Sequence, residues 1–191
     1  MNQIDKIFNS ALEDSVSLRN NLLLDVNFRK EFKRACEVLL ATRLTGGTIY
    51  ACGNGGSACD AMHFTEELVA RYAKERIGFK AQHFMDVGTM TCWANDYSYE
   101  TIFSRQVETF CTSKDVLIVF TTSGNSANIL NALRIAKEKM VPSIFLGGKD
   151  GGKAKNLADI SLIVPANRTD RIQELHITLV HCFCEFLELD F

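Results

Sequence analysis

The chain has 191 residues, 47% of them hydrophobic and 23% charged, which suits one soluble domain with a sizeable core. Its net charge is −2 and its basic residues are scattered, so the sequence offers no field for nucleic acid or an anionic membrane. The seven cysteines form no C-x-x-C pair, the N-terminus lacks a basic stretch followed by an apolar run, and no apolar run nears the roughly 20 residues of a membrane span. These features exclude a disulfide framework and a zinc ribbon, and predict a reducing cytoplasmic setting.

The first 45 residues predict two helices, with apolar residues recurring near helical spacing and no Gly or Pro. The break is expected near Asn20-Asn21 or Asp25 to Asn27, and Gly46-Gly47 ends the second helix. A helical lead-in of this kind is expected to cover another element or another subunit. Strand and helix then alternate. Thr48 to Cys52 reads as a strand and Gly53-Asn54-Gly55-Gly56-Ser57 as a turn, followed by helix to about Tyr72. Ala81 to Met85 reads as a weaker strand, and Tyr99 to Cys111 as helix. Val116 to Phe120 is a strand, Thr121 to Ser126 a polar turn, and Ala127 to Lys139 a helix. Ser143 to Leu146 and Ile160 to Val164 complete five strands, and Asp170 to Leu189 is a long closing helix. The strands are β-branched and nearly continuously apolar. They predict a three-layer α/β/α doubly wound parallel sheet of five strands, with two additional N-terminal helices, all in one domain.

Ligands of open parallel sheets bind beyond the carboxyl ends of the strands. Two strand-to-helix loops there carry the right groups. In Gly53 to Ser57 the glycines let a backbone approach an anion at a helix N-terminus. In Thr121-Thr122-Ser123-Gly124-Asn125-Ser126, hydroxyls and an amide can ring a phosphate with neutral donors. The competing reading of each loop is a turn with an N-cap from Ser57 or Ser126. No nucleotide fingerprint is present, and Gly147-Gly148-Lys149-Asp150-Gly151-Gly152-Lys153 reads as a flexible connection.

His63 and Glu67 lie four apart on a predicted helix, so they share a face, which suits acid–base chemistry or metal ligation. Glu66 projects about 100° away. A surface His–Glu pair has the same spacing. On the closing helix Asp170 and His181 fall within about 20° of each other and Gln173 about 60° to one side. His176 lies about 120° from Asp170, so it is expected to pack elsewhere.

CGNGGSACDAMHFTEEL, ARY, AND, FSRQVE, TTSGNSAN, GGKDGGK and DRIQELHITLVH occur in this order over nearly the whole chain. With these motifs the sequence resembles the phosphoheptose isomerases, sugar-isomerase-domain proteins that convert sedoheptulose 7-phosphate to D-glycero-D-manno-heptose 7-phosphate for surface polysaccharide. The resemblance implies phosphate and sugar binding at Asn54, Gly55, Gly56, Ser57, Thr121, Thr122, Ser123 and Ser126. It adds Arg71, Asn95, Asp96, Asp170 and Gln173 to the substrate site. It implies a zinc ion on His63, Glu67, Gln173 and His181, with Glu67 and His181 as the catalytic pair. It further implies a homotetramer with active sites between subunits. Trp93 stands where the family has small residues, which bears on the sugar end of the pocket. Two non-enzymatic readings share the fold: a binding module of the replication-initiator-associating type, and a sugar-phosphate-sensing regulatory domain. The binding modules lack the residues matching Glu67 and His181, and this chain has both.

Overall fold

The structure is a computed structural model that describes residues 2–191. Five parallel strands, β1 (Ile49–Gly53), β2 (Ala81–His83), β3 (Val116–Thr121), β4 (Ser143–Gly148) and β5 (Ile160–Val164), form one sheet in the order β2-β1-β3-β4-β5. The order reverses at β1, which pairs with both β2 and β3, so the crevice between the ends of β1 and β3 is the topological switch point. β1, β3 and β4 are buried along their whole length. That burial is what a sheet covered on both faces asks of its central strands.

Alternate strand residues serve the two faces. Ile49, Ala51, Val116, Ile118, Phe120, Ile144 and Leu146 meet α2 (Val26–Leu44), α3 (Gly56–Val69) and α7 (Thr169–Leu187) in one cluster. Tyr50, Cys52, Leu117, Val119 and Phe145 meet α5 (Ile102–Phe110) and α6 (Ala127–Glu138) in the other. The expected three layers and five strands are therefore present. The expected helical lead-in is present too, as α1 (Gln3–Leu24) and α2. They break at Asp25, whose carboxylate caps the next helix by accepting from the Phe28 backbone N–H at 2.9 Å. α1 buries none of its residues in this chain and leaves Ile4, Ile7, Phe8, Leu12 and Val16 exposed.

One expectation is incomplete and another needs correction. The helical region expected from about Tyr99 is present, as a 3₁₀ turn over Tyr99–Thr101 leading into α5, but a further helix, α4 (Val87–Asp96), precedes it. The sequence hid α4 because its stretch, VGTMTCWAND, contains Gly, Thr and Asn and buries no residue, so it shows no helical stripe. Asp86 starts it by accepting from the Thr89 N–H at 2.7 Å. The glycine-rich 147–153 segment is not a flexible connection. Gly147 and Gly148 belong to β4, and Gly151 and Gly152 have positive φ and pack on the second polar loop. A Cβ on Gly124 would lie 2.0 Å from the Gly151 carbonyl, and Ala154 N–H donates to Gly124 O at 2.9 Å. Glycine is needed there because two backbones touch.

Candidate active site

Both polar loops sit at the carboxyl ends of the strands flanking the switch point. The first follows β1, where Gly55 takes φ 56° and stands at the N-cap of α3 with no side-chain hydrogen bond to the helix. Ser57 is buried rather than capping. The second follows β3, where Ser126 is the N-cap residue of α6 and again makes no capping bond. The N-cap reading fails for Ser57, while Ser126 holds the N-cap position without making the capping bond. Neither N-cap residue bonds its helix start through a side chain, although in α6 the Ile129 N–H is met by Asn128 Oδ1 at 3.0 Å; the remaining N–H groups of a helix start favour an anion. Thr121 is buried, with its hydroxyl 3.4 Å from that of Ser126. Asn125 N–H donates to Ser123 Oγ at 3.2 Å, and Lys153 N–H donates to Asn125 Oδ1 at 3.2 Å, so the glycine-rich segment braces this loop.

α3 and α7 pack side by side and carry the titratable groups. His63 Nε2 lies 3.1 Å from Glu67 Oε1, one helical turn on, and 3.5 Å from His181 Nε2 of α7. One ligand atom from each of the three lies within 4.8 Å of the others. Glu67 is largely buried and His63 half-exposed. Glu66, expected to project away from the face of His63 and Glu67, is exposed. Toward the helix start, Gln173 lays its amide against Gly56, where a Cβ would fall 2.4 Å from Nε2. Gln173 therefore joins the first loop to α7.

His176 is fully buried, with Nε2 on the Gly147 carbonyl at 3.0 Å, off the Glu67 face as expected. Burial drives its pKa down to about 4 even though the Gly147 carbonyl opposes the shift. Its Nδ1 has no hydrogen-bond partner and lies 4.0 Å from Asp60 Oδ2, which has none either. Burial pushes Asp60 up to about 6, partly offset by His63. With Nε2–H committed to a carbonyl, Nδ1 carries the lone pair, and a protonated Asp60 is its compatible neighbour.

Other expected residues have partners elsewhere in this chain. Asp170 is held down at about 2 by Arg168, whose Nη2 lies 2.5 Å away, although burial opposes the shift; Arg171 adds to the lowering. Arg71 pairs with Glu75 at 3.3 Å, and both side chains are exposed. Asn95 Nδ2 donates to its neighbour Asp96 Oδ1 at 2.9 Å at the exposed end of α4. Trp93 is held by an Nε1–H bond to Thr101 Oγ1 at 2.9 Å and stacks on Tyr97 with centroids 4.0 Å apart. It braces the end of α4 that carries Asn95 and Asp96.

Residues 21–148 match the model of the SIS domain. The phosphoheptose isomerase of Salmonella dublin is 44% identical over 185 residues, covering 96% of each chain. The chain belongs to the phosphoheptose isomerase family. The phosphoheptose isomerase of Helicobacter pylori is 46% identical over 85% of each chain. The solved phosphoheptose isomerase of Neisseria gonorrhoeae superposes with a TM-score of 0.90 at 34% identity, covering 97% of this chain and 99% of that one.

Three residues without a signal of their own in the sequence brace these elements. Asn128 is buried and shares two hydrogen bonds with Asn54. Arg76 and Glu188 form a buried ion pair that also holds the end of α3. Asn128 lay inside the TTSGNSAN motif, but only the β1–β3 adjacency shows what it faces. For Arg76 and Glu188, 112 residues apart, no local signal existed.

Proposed function

We propose that this isomerase interconverts sedoheptulose 7-phosphate and D-glycero-D-manno-heptose 7-phosphate through an enediol, supplying heptose for surface polysaccharide. The observation that carries the reading is the convergence of Glu67, His63 and His181 where α3 packs on α7, in a fold whose two polar loops each open a helix at the switch point. Moving a proton between C1 and C2 requires one group to take a carbon-bound proton and another to serve the two oxygens. Glu67 is the base. It is largely buried on α3. His181, reaching in from α7, is the acid. Asn54, Gly55, Gly56 and Ser57 would hold the phosphate with Thr121, Thr122, Ser123 and Ser126. The two helix starts supply partial positive charge for it. Binding energy gathered there orients the reacting end. Arg71, Asn95, Asp96, Asp170 and Gln173 are assigned to the rest of the substrate. In this chain alone Arg71, Asn95, Asp96 and Asp170 are exposed, which fits a site completed by another subunit.

The donor set at the cluster fits zinc. Two imidazole nitrogens and a carboxylate oxygen converge within 4.8 Å, and zinc accepts both donor types. His63, Glu67 and His181 would hold it; Gln173, the expected fourth ligand, lies against Gly56 toward the start of α3 in this chain. Bound zinc would supply Lewis acidity for the developing enediolate oxygen.

The whole chain, 1–191, acts as one unit in this reading. The first 45 residues serve subunit contacts in a homotetramer, and the setting is cytoplasmic; none of the helices in the described residues is long and apolar enough to cross a membrane. Incubation of the purified protein with sedoheptulose 7-phosphate, with products resolved by NMR, tests the activity. New heptose 7-phosphate signals without added nucleotide or nicotinamide are expected. Unchanged substrate from zinc-supplemented protein would remove the reading.

A further inference from the structure

Asn54 and Asn128 face each other across the switch-point crevice. Each amide donates to the other's carbonyl, at 2.9 Å in both directions. A third bond reaches the pair from outside: Tyr99 Oη donates to Asn54 Oδ1 at 2.8 Å. Asn128 is buried, and its Oδ1 also accepts from the Ile129 N–H at 3.0 Å. A primary amide has two acceptor and two donor positions. Protein groups fill both acceptor positions of Asn54 and one of its donor positions. Its side chain is therefore committed to the protein, and what it can offer a ligand is chiefly backbone.

The three residues come from three places. Asn54 opens the loop after β1, Asn128 sits in the first turn of α6 two residues beyond Ser126, and Tyr99 stands on the 3₁₀ turn three residues after Asp96. That turn is tied to α6 a second time, by Asn131 Nδ2 donating to the Glu100 carbonyl at 2.9 Å. β1 and β3 pair through backbone only as far as Gly53 and Phe120, so beyond that register the two loops are joined by side chains.

We propose that Asn128 and Tyr99 are positioning residues, which act through Asn54 to fix the spacing of the two loops that receive the phosphate group. The proposal rests on reading those loops as the phosphate site. An amide pair that merely satisfied buried polar groups would affect folding and leave ligand affinity alone. A spacing device affects affinity for the phosphate end first, because the loops must otherwise be ordered when the ligand binds.

The test compares wild type, Tyr99→Phe and Asn128→Ala. Inorganic phosphate binding is read by calorimetry, KM and kcat with sedoheptulose 7-phosphate, and Tm by thermal denaturation. Tyr99→Phe removes one hydrogen bond from an exposed hydroxyl, so it is expected to fold with an unchanged Tm. Its phosphate Kd and its KM are expected to rise about three- to tenfold, the worth of one hydrogen bond, with the effect falling on KM rather than kcat. Asn128→Ala is expected to show a larger rise in both and a lower Tm. A wild-type Kd and KM in Tyr99→Phe, or a change in kcat alone, overturns the proposal; this variant decides the matter if Asn128→Ala does not fold. A wild-type protein that isomerises the sugar but neither binds phosphate nor is inhibited by it refutes the phosphate-loop reading itself, and the proposal with it.

Discussion

Glu67 and His181 stand 114 positions apart in the chain and close on the same histidine, His63. Glu67→Gln keeps the size and hydrogen-bonding shape of the side chain but removes the base. Turnover should fall about 10²–10⁴-fold, the usual worth of a positioned base, with little change in Tm. Wild-type turnover in a folded Glu67→Gln protein would take the role from Glu67. The His63–Glu67 spacing was legible because i and i+4 share a helix face. The pairing with His181 was not legible from spacing, since only the packing of α3 on α7 creates it; the family resemblance supplied it. Asp60 and His176 give a second test at this scale. His176 titrates near 4 in the fold against an ordinary 6.5, so below pH 6.5 the unfolded chain binds the extra proton and stability falls as pH drops toward 4. Asp60 has the opposite sign: its raised pKa, about 6, makes the fold take up a proton between pH 6 and 3.8 while the unfolded chain does not. The two largely cancel in the wild type. Asp60→Asn should uncover the histidine, so that between pH 7 and pH 5 its Tm falls more steeply than the wild type's. Parallel Tm–pH curves would show that the Asp60 pKa is not raised in the fold.

α3 and α7 are the elements that assemble the cluster, and a buried latch holds their ends. Glu188, just past α7, accepts the backbone N–H groups of Tyr72, Ala73 and Lys74 at 3.0–3.1 Å and the Arg76 guanidinium at 2.7 Å. Arg76 in turn donates to the Leu68 and Glu67 carbonyls at the end of α3, each at 2.9 Å. Neither side chain of the pair is accessible to solvent. Glu188→Ala would leave a buried guanidinium unpaired, at a cost of about 3–5 kcal/mol, measurable as a lower urea midpoint. A midpoint equal to wild type would mean that water replaces the carboxylate. At the level of elements the strands were the most legible part, because β-branched runs buried on both faces leave few alternatives. α4 was illegible because it buries none of its residues, and the 147–153 turn because backbone contact, not side chains, makes it rigid. Glycine content alone does not distinguish a loose loop from a crowded one.

The whole molecule shows an apolar helix face that this chain does not cover. α1 exposes Ile4, Ile7, Phe8, Leu12 and Val16, and an apolar groove lined by Leu22, Leu23, Phe28, Phe32 and Leu179 lies between α1, α2 and α7. Exposed apolar surface of this kind is what the proposed association of subunits would cover. Light scattering at micromolar concentration should give four times the chain mass, and Phe8→Glu with Leu12→Glu should lower it. A monomer mass for the wild type would leave the exposed site residues without a partner subunit. Zinc should be found near one per chain and should drop in His63→Ala; full occupancy in the His63→Ala, His181→Ala double variant would place the metal elsewhere. The most direct measurement uses the assembled wild-type protein turning over sedoheptulose 7-phosphate in heavy water. Proton abstraction by a side chain predicts heptose 7-phosphate carrying deuterium at C2 and recovered ketose carrying it at C1. Product free of deuterium at both carbons, or no product at all, would contradict acid–base isomerisation by Glu67 and His181.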